Sequence, residues 1–235
     1  MTTGSATGPY SAILFDIDGT LVDSNDAHAQ AWVDAFAEAG VTVDPSEVRR
    51  AIGMGGEKLI PNVSGIDPES DPGKAVSARR KEIFREHWLP QLHPFPDADR
   101  LVSALHDRGF RIVAASSAKR DELKALLQIA RADRFFEAAT SSDDAEHSKP
   151  DPDIVHAALD RAKAAPHDAV MIGDTPYDID AATRAGVASI AFRSGGWTDD
   201  DLKGAIAIYD GTWDLLQHLD SSPLARAARP AAARG

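Results

Sequence analysis

The chain has 235 residues, 43% hydrophobic, 26% charged and 6% aromatic, a balance that fits a globular protein with a sizeable core and excludes collagen-like, disulfide-scaffold and wholly disordered chains. Its 25 Lys and Arg against 37 Asp and Glu give a formal charge of −12, which speaks against nucleic acid and anionic membranes as partners but leaves room for a small anion in a metal-bearing or locally cationic cleft. With no cysteine there is no disulfide, Cys-ligated zinc or thiol chemistry; with no leader-like pattern in Met1–Pro9 and no apolar run of about 18 residues, a cytoplasmic protein is expected.

Taken in chain order, Ala12–Phe15 is a short apolar run that reads as a buried strand. Residues 24–90 then hold no convincing strand. There, 26–39 is helical, with Ala27, Ala31, Ala35 and Ala39 joined by Trp32 and Phe36; 73–88 is helical too, and the connections are rich in Gly and Pro. His93-Pro94-Phe95-Pro96 closes this insertion, since successive prolines stop a helix and stiffen the link. Apolar runs at 110–115, 169–172, 187–191 and 205–208 follow, interleaved with helical patterns at 97–108, 119–130, 151–164, 176–185 and 212–219; Gly109 and Gly186 act as helix stops. Alternating strands and helices predict a doubly wound α/β fold, a parallel sheet covered on both faces. The expected organisation is an α/β core from 1–22 and 93–220, an inserted α-helical cap over 23–92, and a disordered Ala/Arg/Pro-rich tail over 221–235.

Asp16 and Asp18 stand two apart where the first strand runs out, in Phe15-Asp16-Ile17-Asp18-Gly19-Thr20-Leu21. Strand residues two apart face the same way, so both carboxylates can converge on one ligand at the C-terminal edge of the sheet, where α/β folds bind ligands. A calcium loop starting at Asp16 fails, because Leu21 and Ala27 stand where Gly and Glu are required. A plain Asp-Gly turn competes.

Three more segments sit at the ends of strands or just before helices. Ser116-Ser117 can cap the following helix or, with free backbone N–H groups, bind a phosphate oxygen. Lys149, before Pro150, can offset anionic charge at the rim of an acidic pocket. Asp174 and Asp178, in Gly173-Asp174-Thr175-Pro176-Tyr177-Asp178, can cap the next helix or serve Mg²⁺, which takes one or two carboxylates plus water and substrate oxygens. The eight histidines show no tight metal spacing, so a zinc hydrolase is not indicated.

Strand-Asp-x-Asp-Gly-Thr-Leu, strand-Ser, Lys-Pro and strand-Gly-Asp-x-x-x-Asp, in that order, resemble the haloacid dehalogenase superfamily over about residues 11–219, specifically its phosphatase-like members with a helical cap (the phosphoglycolate phosphatase and β-phosphoglucomutase group). The resemblance implies a Rossmann-like core and a Mg²⁺-dependent hydrolase of a small phosphorylated metabolite. It makes Asp16 the nucleophile that becomes an aspartyl-phosphate and Asp18 the general acid and base. Mg²⁺ falls to Asp16, the Asp18 backbone carbonyl, Asp174 and Asp178, the last in a supporting place; Ser116 and Lys149 take the phosphoryl oxygens. Gly19, Thr20, Ser117, Lys58 and His28 are expected around the substrate, and the protein as a monomer or weak homodimer. Asp18 favours phosphate esters over carbon–halogen or carbon–phosphorus bonds, since relatives that cleave those usually lack this acid. A phosphosugar mutase is the alternative within the superfamily, but such relatives use an arginine in the cap loop, and Ile52-Gly53-Met54-Gly55-Gly56-Glu57-Lys58 has none. A non-catalytic phospho-ligand binding protein is the alternative outside it.

Overall fold

A computed structural model describes residues 10–225 of the chain. Its elements are β1 (Ala12–Phe15), α1 (Asn25–Glu38), α2 (Pro45–Ala51), α3 (Gly56–Ser64), α4 (Asp71–Ile83), α5 (Ala98–Asp107), β2 (Arg111–Ala115), α6 (Arg120–Ile129), β3 (Ala138–Thr140), α7 (Asp153–Ala162), β4 (Ala169–Gly173), α8 (Pro176–Arg184), β5 (Ala188–Phe192), β6 (Ala207–Tyr209) and α9 (Thr212–Gln217).

All four residues of β1 are withdrawn from solvent, because the strand has a neighbour on each side and helices on each face. The sheet order is β3-β2-β1-β4-β5-β6 with every pairing parallel, and Ile13 lies opposite Ile112 on one side and Val170 on the other. Period-two alternation sends Ile13 and Phe15 to one face, against Leu101, Leu105, Leu126 and Leu215 of α5, α6 and α9. Ala12 and Leu14 go to the other face, against Val155, Leu159 and Ala181 of α7 and α8. This is the doubly wound α/β architecture expected. Its strand order reverses at β1, so a crevice opens at the C-terminal ends of β1, β2 and β4.

Between β1 and α5, helices α1–α4 build a core of their own from Trp32, Phe36, Val48, Leu59, Ile60, Val76, Ile83 and Phe84. The two connections to the sheet run side by side: Asp23 N–H donates to His93 O (3.0 Å), and Phe95 N–H donates to Leu21 O (3.0 Å). Two strapped crossings fix where the helical unit hangs over the crevice.

Several elements differ from expectation. The edge strand β3 is only Ala-Ala-Thr and carries no apolar run; it is held by pairing with β2 and by Thr140 Oγ1 donating to Ala114 O (2.5 Å). Helices α2 and α3 occupy the stretch read as connections. Asp44 caps α2 by accepting from Ser46 N–H at 2.8 Å, with Pro45 in the first turn, and α3 ends at Gly65 in the left-handed region. The helix expected over 73–88 starts at Asp71 and passes after Ile83 into a π-helical turn at Phe84–Trp88. The last strand is Ala207–Tyr209, where 205–208 was expected. Ser222 and Leu224 are buried, Leu224 in the cluster that contains Leu215 and Leu219, so the chain stays packed past 221; residues 226–235 of the expected tail lie outside the described residues.

Candidate active site

Asp16 follows directly on β1, and its N–H donates to Ile172 O of β4 (2.9 Å), which extends the sheet pairing by one residue into the crevice. The chain then turns sharply: Leu21 N–H donates to Ile17 O (2.9 Å), and Gly19 takes φ +73°. Glycine is required twice over. The conformation is left-handed, and a Cβ there would lie 2.1 Å from Asn25 Nδ2 and 2.2 Å from Asp174 Oδ2.

Asp16 thereby meets Asp174, the residue after β4, and Asp178, in the first turn of α8. One carboxylate oxygen from each of the three lies within 4.8 Å of the others, and all three residues are buried. Lys149, 1% exposed, donates to Asp16 Oδ1 (2.5 Å) and Asp178 Oδ1 (2.7 Å). Thr20 Oγ1 donates to Asp174 Oδ1 at 2.9 Å and reaches Asp16 Oδ2 at 3.5 Å; Asn25 Nδ2 donates to Asp174 Oδ2 at 2.8 Å. Asp178 Oδ2 accepts from Thr175 N–H (3.0 Å) and Thr175 Oγ1 (2.7 Å), closing a capping box on α8. Both of its oxygens are thus engaged, so Asp178 anchors Lys149 and starts the helix at once.

Burial governs the charges here. It pushes Asp16 well above the usual carboxylate range, against the pull of Lys149 and with help from Asp178 and Asp174. It pushes Asp174 to about 7, with Asp178 adding to the rise and the bonds from Asn25 and Thr20 opposing it. Burial alone would lower Lys149, but Asp16 and Asp178 outweigh it and hold the ammonium above its ordinary value. Three carboxylates against one ammonium leave two positive charges wanting, and the buried Asn25 Oδ1 beside them has no hydrogen-bond partner. An all-oxygen donor set short of two positive charges fits a hard divalent cation such as Mg²⁺.

Asp18 turns the other way, toward the cap. Its Oδ1 accepts from Ser24 Oγ (2.6 Å) and lies 2.7 Å from His28 Nε2. Burial would raise this carboxyl, yet His28, Ser24 and the nearby Arg80 together hold it below its ordinary value. His28 stacks on Phe84 with ring centroids 4.0 Å apart, and its Nδ1 faces Arg80 Nη2 at 2.5 Å. Because arginine only donates, His28 Nδ1 accepts and Nε2 carries the proton aimed at Asp18.

On the third side, Ser116 follows β2 and is buried, its Oγ accepting from Ala118 N–H at 3.1 Å; Ser117 Oγ donates to Gly53 O of the cap (3.2 Å). The cap loop is tied down next to Lys149: Gly55 N–H donates to Ser148 Oγ (2.9 Å) and Ser148 N–H to Glu57 Oε1 (2.9 Å). A cavity of about 680 Å³ lies between sheet and cap, walled by Asp16, Asp18, His28, Trp32, Ser116 and Arg80 among others.

Of the expected site residues, Gly19, Thr20 and Lys58 are not on the cavity wall, and neither are Lys149, Asp174 and Asp178. Gly19 and Thr20 pack directly against the cluster, where the threonine hydroxyl donates to Asp174. Lys58 is also off the wall, its ammonium donating to Ser148 O and pairing with Asp151 Oδ2 at 2.5 Å, so it ties cap to core. Ser24, Asn25, Arg80 and Glu122 escaped the sequence reading. For Arg80 a signal existed: Val76, Arg80 and Phe84 recur at helical spacing, which puts this one arginine on the inward face.

Residues 13–192 match the family model described as haloacid dehalogenase-like hydrolase. The chain belongs to that family, in its phosphatase-like group, and is a hydrolase. Over 196 residues it is 31% identical to a protein named Probable phosphatase IndB from Dickeya dadantii, covering 82% of this chain and 85% of that one. It is 29% identical to Pyrophosphatase PpaX from Bacillus cereus, with 83% and 85% covered. Among solved structures, a hydrolase from Pseudomonas syringae superposes with a TM-score of 0.82 at 28% identity, over 90% of this chain and 98% of the other. Among the described residues, no helix is long and apolar enough to cross a membrane.

Proposed function

We propose that the protein is a Mg²⁺-dependent phosphomonoester hydrolase that acts on a small phosphorylated metabolite through an aspartyl-phosphate on Asp16. The observation that carries this reading is the pairing of Asp16 with Lys149 at 2.5 Å inside a cluster of three buried carboxylates, with Asp16 itself on the wall of a cavity that Asp18 also lines. Phosphatase names among the relatives support it.

Asp16, Asp174 and the Asp18 backbone carbonyl would hold Mg²⁺, with Asp178 in support, and the bound ion would neutralise phosphoryl charge. Asp16 attacks phosphorus. Asp18 gives its proton to the departing alkoxide oxygen and later takes one from the water that opens the aspartyl-phosphate, returning Asp16 as carboxylate and releasing inorganic phosphate. His28 and Ser24 favour the ionised form of Asp18, which suits the second half; an arriving phosphate dianion pushes the group back toward the protonated form that the first half needs. Lys149 and Ser116 steady the remaining phosphoryl oxygens, and the cap keeps bulk water from the intermediate.

Asp16→Asn should lower phosphate release from an active ester by at least about 10³-fold with the fold intact, because a neutral amide is not a nucleophile toward phosphorus. Undiminished release by that variant would reject the mechanism. Arg80 supplies the cap arginine that residues 52–58 lack, which keeps the phosphosugar mutase as a second reading; isomerised product without net phosphate release would establish it. No turnover over a broad panel of phosphate esters, with Mg²⁺ present, would leave a phospho-ligand binding protein.

A further inference from the structure

Ser24 stands at the N-cap of α1, where a serine ordinarily accepts from a free N–H of the first turn, yet it makes no such bond. Its Oγ donates to Asp18 Oδ1 instead (2.6 Å), and His28 Nε2, one turn on, lies 2.7 Å from the same oxygen. Asn25, the first residue of the helix, also turns its side chain to an acid of the core: Nδ2 donates to Asp174 Oδ2 at 2.8 Å. The opening turn of the cap thus serves two carboxyl groups rather than its own backbone.

Among the described residues whose side chains bond to Asp16, Asp174 or Asp178, Asn25 alone belongs to a cap helix. The carboxylate fixes which way its amide points, since the NH₂ group must face Asp174 and the oxygen takes the other side of the same carbon. That oxygen, Oδ1, is buried on a residue only 3% exposed and has no donor, an arrangement that proteins rarely leave unanswered. Asp174 Oδ2 is closely walled as well, because a Cβ on Gly19 or on Gly195 would lie 2.2 Å from it. The amide therefore sits in a tight, polar place beside three carboxylates that lack two positive charges, and it offers a free acceptor there. Mg²⁺ keeps several of its waters, and their protons need acceptors of this kind around the ion.

We propose that Asn25 is a positioning residue of the cation site, carried to it by the cap: Nδ2 holds Asp174 in its ligating orientation, and Oδ1 accepts from a water bound to Mg²⁺. The inference rests on the Mg²⁺ part of the reading above and adds to it a residue that the three acids do not supply. Because Asn25 heads α1, whatever steadies its amide also steadies the first turn of the cap, where His28 N–H donates to Ser24 O (2.9 Å). Such linkage is reciprocal, so the seated turn raises the affinity for the ion by the factor with which the ion favours the seated turn.

Calorimetric titration of the full chain with Mg²⁺ alone, near about pH 8 where Asp174 is ionised, tests this without any substrate. Asn25→Ala and Asn25→Leu should each weaken Mg²⁺ binding by about 10–100-fold, the usual loss when an outer partner of a metal ligand is removed. One variant leaves room and the other fills it, so a poor fold in either leaves the other to report. The same titrations with Ca²⁺, which is more flexible in its geometry and depends less on retained waters, should show a smaller loss; general damage to the fold would weaken both ions alike. Hydrogen exchange supplies the structural readout: Mg²⁺ should slow the amides of the first turn of α1 by about 5-fold or more in the parent and leave them unchanged in both variants. Parental affinity for Mg²⁺ in the variants, an equal loss for the two ions, or exchange slowed as much in the variants as in the parent would overturn the role of Asn25 and leave the hydrolase reading as it stands. A parent that takes up no Mg²⁺ would instead remove the Mg²⁺ part of that reading, and this inference with it.

Discussion

Replacing Lys149 with methionine should make the metal-free protein strongly pH-sensitive in stability. The substitution keeps a stem of similar length and removes the one ammonium bonded to Asp16 and Asp178 among the described residues. Breaking one side of a buried ion pair costs about 3–5 kcal/mol, because the other side is left charged and desolvated. These acids have an escape, which is to take up protons. Burial already pushes Asp174 to about 7 and Asp16 upward, and losing Lys149 takes away the main force opposing the rise at Asp16. A carboxyl whose folded-state value exceeds its unfolded one stabilises the fold at low pH, and that contribution is lost as pH rises through the folded value. The penalty of Lys149→Met should therefore approach the full figure near about pH 8 and shrink by half or more near about pH 5. Urea midpoints at the two pH values, compared at a common slope, measure it. Adding Asp178→Asn should restore part of the loss near the higher pH, since the amide oxygen still accepts from Thr175 N–H but brings no charge. A single variant within about 1 kcal/mol of the parent near about pH 8, or one equally penalised at both pH values, would refute the charge accounting of this site.

Mg²⁺ should raise the thermal midpoint of the protein, and by more near about pH 8 than near about pH 5.5, because Asp174, held at about 7, has to shed its proton to act as a ligand; scanning calorimetry with and without the ion would show it, and an equal gain at both pH values would exclude Asp174 as a ligand. Gly19→Ala should cost about 2 kcal/mol or more, from a left-handed φ of +73° and a Cβ 2.1 Å from Asn25 Nδ2, and should weaken Mg²⁺ binding by displacing Asp174; calorimetric titration of the purified variant checks the second effect, and unchanged affinity would show that the turn does not position the carboxylate.

The core was legible because its physics is local. Ala12–Phe15 is apolar at every position, which a strand buried on both faces requires, and Gly109 and Gly186 both take positive φ where helices were expected to stop. Asp16 and Asp18 were legible as a pair, but the sequence could not tell that they part company, Asp16 turning to Lys149 and Asp18 to the cap; residues two apart share a side only while the strand lasts, and the strand ends at Phe15. At Asp178 the structure shows the capping role, one oxygen capping α8, and adds a partner the sequence did not indicate, the other oxygen holding Lys149.

The cap resisted reading for a different reason. Helices α2 and α3, of 7 and 9 residues, are too short for periodicity to stand out, and they owe their starts to Asp44 with Pro45 and to Gly55. Lys58 and Arg80 show the limit most sharply, since both are cap cations and charge alone ranks them equally. Lys58 stands on an N-terminal turn that docks on the core, where Ser148 and Asp151 take its ammonium. Arg80 stands one turn after Val76 and one before Phe84, on the face that α4 turns inward, so its stem is buried with the cap core and its head emerges in the cavity. Position on a helix face, a tertiary fact, decides which of two like charges lines the cavity.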